Sequence, residues 1–142
     1  MKRTTEQFYK EYYEKKAHLS WREWDDVERK MRDEWYHEMD VGDHAHICHY
    51  SDVSPVTVIK KTATTLTVRM DKATRDESWK PEWVVGGFSA HCTNIDEQKW
   101  IIEEDENGSV EVFRWSKRYN QYRNTSGEKL FPEWRKYYDY NF

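Results

Sequence analysis

Only two cysteines, Cys48 and Cys92, occur in 142 residues, too few for a disulfide framework. Branched aliphatic residues are also scarce: the chain holds three leucines, five isoleucines and ten valines. No apolar run approaches the ~20 residues that a membrane span needs. The opening segment Met1–Lys10 lacks the apolar stretch of a secretory leader. A cytoplasmic protein without membrane contact is therefore expected. Internal repeats and low-complexity segments are missing as well. The sequence has no Gly-x-Ser-x-Gly elbow, Walker loop, dinucleotide fingerprint, Cys-x-x-Cys or His-Glu-x-x-His. Without a catalytic signature, the expectation is a binding protein rather than an enzyme, with no cofactor.

What is present is aromatic and charged. Charged residues make up 35% of the chain, with a net charge of −4. Hydrophobic residues make up 37%, against a usual ~45–50%. So little aliphatic content would suit a disordered chain, but eight Trp, ten Tyr and five Phe argue otherwise. Each such ring can bury roughly 150–250 Å², enough to build a core from few residues. The composition implies a folded protein with an aromatic core.

The first forty residues read as helix. Thr5 to about His18 is free of Gly and Pro and sets Phe8, Tyr9, Tyr12, Tyr13 and Lys16 at helical spacings. Ser20-Trp21-Arg22-Glu23 has the form of a capping box. Behind it Trp24, Val27, Met31, Trp35 and Met39 recur every three or four residues, within an arc of about 120° that suits a core-facing helix. Val41-Gly42-Asp43 is expected to end it, with Gly42 as a left-handed cap.

From His44 the pattern becomes that of strands. His44–Tyr50, Val56–Lys61 and Thr65–Met70 are short β-branched or aromatic runs, read as a three-strand meander. Trp79–Phe88 is less regular, broken by Pro81 and by Gly86-Gly87. Gln98–Glu103 and Val110–Lys117 flank Asn107-Gly108, a strong hairpin signal, and Gln121–Arg123 and Lys129–Phe131 turn at Ser126-Gly127. With no crossover helix, these runs predict an α+β fold: two N-terminal helices (1–41) followed by a small antiparallel, barrel-like sheet (42–142). The charge is blocked. Asp96 to Glu106 holds six acids and one lysine, whereas Arg114 to Lys136 holds seven bases against two acids. An Asn107-Gly108 hairpin would make the two blocks neighbours and partly neutralise both.

Several groups could carry chemistry. His44-Ala45-His46 puts two imidazoles on one strand face, with Cys48 continuing it and His91-Cys92 able to approach from another strand. Ordinary packing explains the alternation equally well, and no metal is expected. Adjacent residues on a strand point to opposite faces, so His91 beside Cys92 is no dyad. Acid pairs such as Asp25-Asp26 and Asp96-Glu97 are ordinary in a chain with 27 acids. More informative is Phe113–Asn120, where cations and rings alternate: Val112, Arg114, Ser116 and Arg118 share one face, and Phe113, Trp115, Lys117 and Tyr119 the other. Guanidinium forks match phosphate oxygens, and rings offer stacking worth ~1–3 kcal/mol per base. The same rings could simply form the core. As a ligand site, Arg114, Arg118 or Arg123 would meet phosphates and Phe88, Trp115 or Tyr138 would stack on a base. His91 or Asn94 would read its edge.

Gly42-Asp43, Tyr50-Ser51-Asp52, Thr57-Val58-Ile59, Thr65–Val68, Asp71-Lys72-Ala73, Gly86-Gly87-Phe88, His91–Asn94 and the closing Tyr137–Phe142 resemble a family of small phage and prophage proteins. The resemblance spans roughly Val41 to Phe142 and leaves out the helices. Such an origin implies the cytoplasm of an infected bacterial host. It suggests counter-defence in the manner of the anti-CBASS and anti-Thoeris sponges, oligomeric proteins that sequester a cyclic oligonucleotide or ADP-ribose-derived immune signal without cleaving it. The partners expected are a nucleotide-derived small molecule and further copies of the chain. The alternatives are a module binding nucleic acid or a host protein, and a minor virion component. A pI near 5.9 disfavours a general nucleic-acid binder.

Overall fold

Two capped helices open the chain. A computed structural model describes residues 3–86 and 89–141. Helix α1 (Thr5–Lys16) starts at a full capping box: the Thr4 hydroxyl accepts from the Gln7 amide, and the Gln7 side chain accepts from the Thr4 amide. Helix α2 (Trp21–His37) starts at Ser20, whose hydroxyl accepts from the Glu23 amide and donates to the Glu23 carboxylate. It ends at His37, five residues before Gly42, with Glu38 as its C-cap in the right-handed region. Gly42, at φ 91°, turns the chain toward the first strand instead of capping the helix. Phe8 stacks on Trp35 at 4.2 Å and 14°, and Tyr12 meets Trp24 edge-on at 5.8 Å. Arg3 straps the pair from outside, donating to Glu38 and Glu11 while its carbonyl accepts from Trp35 Nε1. No helix among the described residues is long and apolar enough to cross a membrane.

The strands are β1 (His44–Cys48), β2 (Val53–Lys61), β3 (Thr65–Met70), β4 (Lys72–Arg75), β5 (Trp83–Gly86), β6 (Ser89–Cys92), β7 (Trp100–Glu103), β8 (Val110–Ser116), β9 (Gln121–Arg123) and β10 (Lys129–Pro132). Six of them close a barrel in the order β1-β10-β9-β8-β3-β2, every neighbouring pair antiparallel. The expected fold class, helices followed by an antiparallel barrel, is the one observed, and β1-β2-β3 form the meander. Alternation turns Ala45, Ile47, Val56, Val58, Leu66, Val68, Phe113, Tyr122 and Leu130 inward, all essentially inaccessible to solvent. They belong to one hydrophobic cluster with Phe8, Tyr12, Met31, Trp35, Tyr36 and Met39 of the helical segment. Polar pins join the two parts. The Glu133 carboxylate accepts from the amide and hydroxyl of Thr5, at the start of α1. Lys61 Nζ donates to the carbonyls of His37 and Met39, where α2 ends.

The Asn107-Gly108 hairpin does not form. Strand β7 pairs with β4 outside the barrel, and β8 pairs with β3 and β9 inside it. A Cβ on Gly108 would lie 1.9 Å from the Met70 carbonyl oxygen, so the chain crosses β3 at a distance only glycine tolerates. Asp71 then accepts from the Asp105 amide and holds the crossing in place. The acidic block is thereby turned toward Lys72 and Arg75 of β4, with Lys72 directly opposite Glu103. The basic block keeps its charge to itself.

His46 is the buried histidine of β1, and its Nδ1 lies 2.8 Å from the Glu133 carbonyl oxygen. Burial holds its pKa below the ordinary value. The Glu133 carbonyl works the other way, and the charge of Arg135 adds to the lowering. The unfolded chain takes up this proton near pH 6.5 while the folded chain resists it. Stability from this group is complete above about pH 6.5 and declines as pH falls toward the folded value. Glu11 and Glu128 are held below the usual carboxylate range, so their contribution is lost at lower pH still. Melting curves should show a drop between about pH 7.5 and about pH 5.5 that is shallower in His46→Gln; an equal drop in both proteins would contradict the assignment.

Candidate functional site

Antiparallel register decides which side chains stand side by side on the outside of the barrel. Arg114 of β8 is directly opposite Arg123 of β9, and Arg123 is directly opposite Lys129 of β10. Neighbouring strands are ~4.8 Å apart, so the three cations form a row about 10 Å long across three strands. Among the described residues none of the three has an ion-pair partner. Like charges directly opposite one another destabilise a sheet. The one relief is aromatic: the Arg123 guanidinium sits 3.9 Å from the Tyr119 ring centroid, with Arg118 at 5.3 Å from the same ring. Arg123 Nε is buried without a hydrogen-bond acceptor among the described residues. The row continues to Cys48, directly opposite Lys129 on β1. Burial pushes the Cys48 thiol up, and the charges of Arg135 and Lys129 oppose it.

The predicted ligand residues divide into two groups. Arg118 and Arg123 come together on the Tyr119 ring, and Arg114 stands directly opposite Arg123. The expected alternation of Arg118 with Arg114 stops at Ser116, because the chain leaves the strand and turns through Asn120 at φ 54°. Asn120 then donates to the Arg29 carbonyl of α2. This turn and α2 enclose a cleft of about 230 Å³ lined by Arg29, Arg32, Arg118 and Tyr119 but also by Asp25 and Glu28. Trp115 points to the helical side: its ring meets His37 at 4.3 Å, Tyr122 at 5.0 Å and Tyr36 at 6.4 Å. It serves the core where sequence patterning offered it for base stacking.

His91, Asn94 and Tyr138 form the second group, on the β5–β6 hairpin and the C-terminal tail. His91 is exposed on β6. Asn94 is committed to the backbone, accepting from the Glu82 amide and donating to the Lys80 carbonyl, each at 2.8 Å. Tyr138 is 45% exposed and meets Tyr140 edge-on at 4.7 Å. Asn141 fastens the tail to the hairpin by accepting from the Cys92 amide and donating to its carbonyl. The tail joins the barrel at Val53–Tyr137, and Val53 is directly opposite Cys48, so two strands, β1 and β2, separate this group from Lys129. Phe88 lies outside the described residues. The histidine strand is likewise committed: His44 stacks on Trp134 at 3.4 Å and 6°, and His46 turns to Glu133. No group of three or more His, Cys, Asp or Glu residues suited to a metal occurs among the described residues.

Sequence reasoning found Arg114 and Arg123 but missed Lys129, whose place beside them depends on the register of the Ser126-Gly127 hairpin. A count of two-residue steps back from that turn was the available signal. It also missed a chain of hydrogen bonds at the end of β1, where His49 joins the Glu128 carboxylate through Nδ1 and Ser54 Oγ through Nε2 at 2.9 Å.

The chain matches no family model, and no curated protein or solved structure is significantly similar to it. The cation row can be tested on the protein alone. Arg114→Thr should raise stability at low salt by about 0.2–1 kcal/mol, the size of a relieved like-charge contact, in urea denaturation. The gain should shrink at about 1 M salt, where screening reaches ~3 Å. A loss of stability at low salt would show that Arg114 is held by an attraction.

Proposed function

We propose that this chain binds nucleotide phosphates without cleaving them, with the row Arg114, Arg123 and Lys129 as its phosphate site. The carrying observation is the row itself: three cations on adjacent strands, mutually repelling and without ion-pair partners among the described residues. Phosphate oxygens would supply the missing negative charge and accept from the guanidinium forks of Arg114 and Arg123. Tyr119, beside Arg118 and Arg123, is the ring nearest to a bound base or sugar.

In the setting that the resemblance to phage proteins implies, the ligand is a cyclic oligonucleotide or ADP-ribose-derived immune signal, held intact in an infected bacterium. Sequestration needs enclosure, and a barrel face gives little. A second copy of the chain would cover the ligand, which makes the active form a homo-oligomer. Openness also favours a second reading, a short single-stranded nucleic acid laid across the row. The cleft beside Tyr119, about 230 Å³, falls short of the ~300–1,000 Å³ usual for small-molecule sites.

A thermal-shift panel of cyclic dinucleotides, ADP-ribose derivatives and short oligothymidylates distinguishes these readings. A ligand at 100 times its dissociation constant should stabilise the fold by ~2.7 kcal/mol. Recovery of an unaltered cyclic nucleotide or ADP-ribose derivative would support the sequestering role. Stabilisation by oligothymidylate alone, lost steeply with salt, would support the nucleic-acid role. In either case Arg123→Glu should abolish the shift. No shift with any member, or an undiminished shift in Arg123→Glu, would overturn the phosphate site.

A further inference from the structure

We propose that Ser54, His49 and Glu128 form a nucleophilic site that hydrolyses small carboxylic esters, an activity separate from the binding assigned to the cation row. The three residues come from different parts of the chain. Ser54 lies on β2, directly opposite Ile47 of β1. His49 is the first residue after β1, and its amide donates to the Asp52 carbonyl, a tight turn that brings the imidazole back over Ser54. Glu128 immediately precedes β10 and reaches His49 because β1 and β10 are paired.

With a neutral His49 imidazole, the direction of each hydrogen bond follows from its partners. Asn124 holds Glu128 on two sides: its Nδ2 donates to Glu128 Oε1, and its Oδ1 accepts from the Glu128 amide, both at 2.9 Å. That leaves Oε2 for His49 Nδ1. Burial pulls the Glu128 carboxyl upward, but hydrogen bonds from Asn124 and His49 outweigh it and hold the group below the usual carboxylate range. An ionised carboxylate only accepts, so His49 carries its proton on Nδ1. Its Nε2 lone pair then faces Ser54 Oγ at 2.9 Å and accepts the hydroxyl proton. This is the order of roles in a nucleophile, base and orienting acid, reached on a barrel rim and recognised by geometry alone. The side chains of His49 and Glu128 are 31% and 27% exposed, so a small substrate can reach them.

In the reaction, Ser54 Oγ bonds to the ester carbonyl carbon while its proton passes to His49 Nε2. The carbonyl then re-forms, the carbon–oxygen bond to the leaving group breaks, and the leaving oxygen takes the proton from His49. Water gives a proton to the same nitrogen as its oxygen attacks the acyl-Ser54 carbon. The carboxylic acid departs, and the proton returns to Ser54 Oγ. Glu128 acts through His49 as a positioning residue.

The test uses the whole chain with p-nitrophenyl acetate as substrate and a fluorophosphonate as a covalent probe. One equivalent of phosphonate should attach to Ser54, located by peptide mass, and esterase turnover should be lost with it. Ser54→Ala, which removes one oxygen, should abolish both while leaving the melting temperature nearly unchanged. His49→Gln should slow labelling about 100-fold or more, the lower range for a general base. Glu128→Gln should slow it as well, with part of the rate recovered at about pH 10, where hydroxide replaces the misoriented imidazole. If His49→Gln fails to fold, Ser54→Ala still decides. Labelling of the unaltered protein no faster than of Ser54→Ala, or attachment elsewhere, would overturn the proposal and leave the three residues as a hydrogen-bonded closure of the barrel rim.

Discussion

Pairing of the first barrel strand with the last is the constraint on which the rest of the structure depends. Ala45 to Cys48 align with Pro132 to Lys129, joining segments more than eighty residues apart. This one ladder closes the sheet and removes its edges. It brings the Glu133 carbonyl to buried His46 and aims the Glu133 carboxylate at the start of α1. Glu133 adopts φ 74° to serve both, a left-handed backbone that costs a non-glycine residue on the order of 1–3 kcal/mol. The same ladder carries Glu128 to His49 and puts Lys129 at the end of the cation row.

Electrostatics follow from topology. A chain of net charge −4 has no reason in its composition to hold an unneutralised row of cations. The crossing at Gly108 creates one by sending the acidic block to β4 and the basic block into the barrel wall. A local hairpin would have set the two blocks side by side. Tyr119 softens the repulsion around Arg123 and Arg118, and Arg114 and Lys129 are left with like charge as their cross-strand neighbour. An arrangement that costs stability without a ligand fits a surface meant to meet one.

Much of the fold was legible because it is set by local rules. The step of Trp24, Val27, Met31 and Trp35 gave α2, the Ser20 cap gave its start, and alternation gave the meander and the Ser126-Gly127 hairpin. The start of α1 is local as well, set by the Thr4 and Gln7 capping box. Asn107-Gly108 misled because a turn dipeptide reports local backbone preference, whereas its partner strands were chosen by the Met70 carbonyl and by Asp71. Trp115 could be read as core or as a stacking ring for a related reason: period-two patterning separates two faces without saying that α2 covers one of them. Arg114 and Arg123 stood out as residue types, but their apposition depends on register. The Ser54, His49 and Glu128 group was out of reach, since only barrel closure makes its members neighbours.

The central claim is that the cation row receives phosphate, and arginine side-chain NMR tests it most directly. Nε–H signals of Arg114 and Arg123 would be followed while a thymidine oligonucleotide of about six residues or a cyclic dinucleotide is added, with Arg75 on β4 as an internal reference. The Arg123 Nε–H, buried and without an acceptor among the described residues, should shift strongly as phosphate oxygens bind the rest of its guanidinium. Arg114 should move with it and Arg75 should not. Binding of either ligand with both row signals unmoved, or no response to either, would contradict the account.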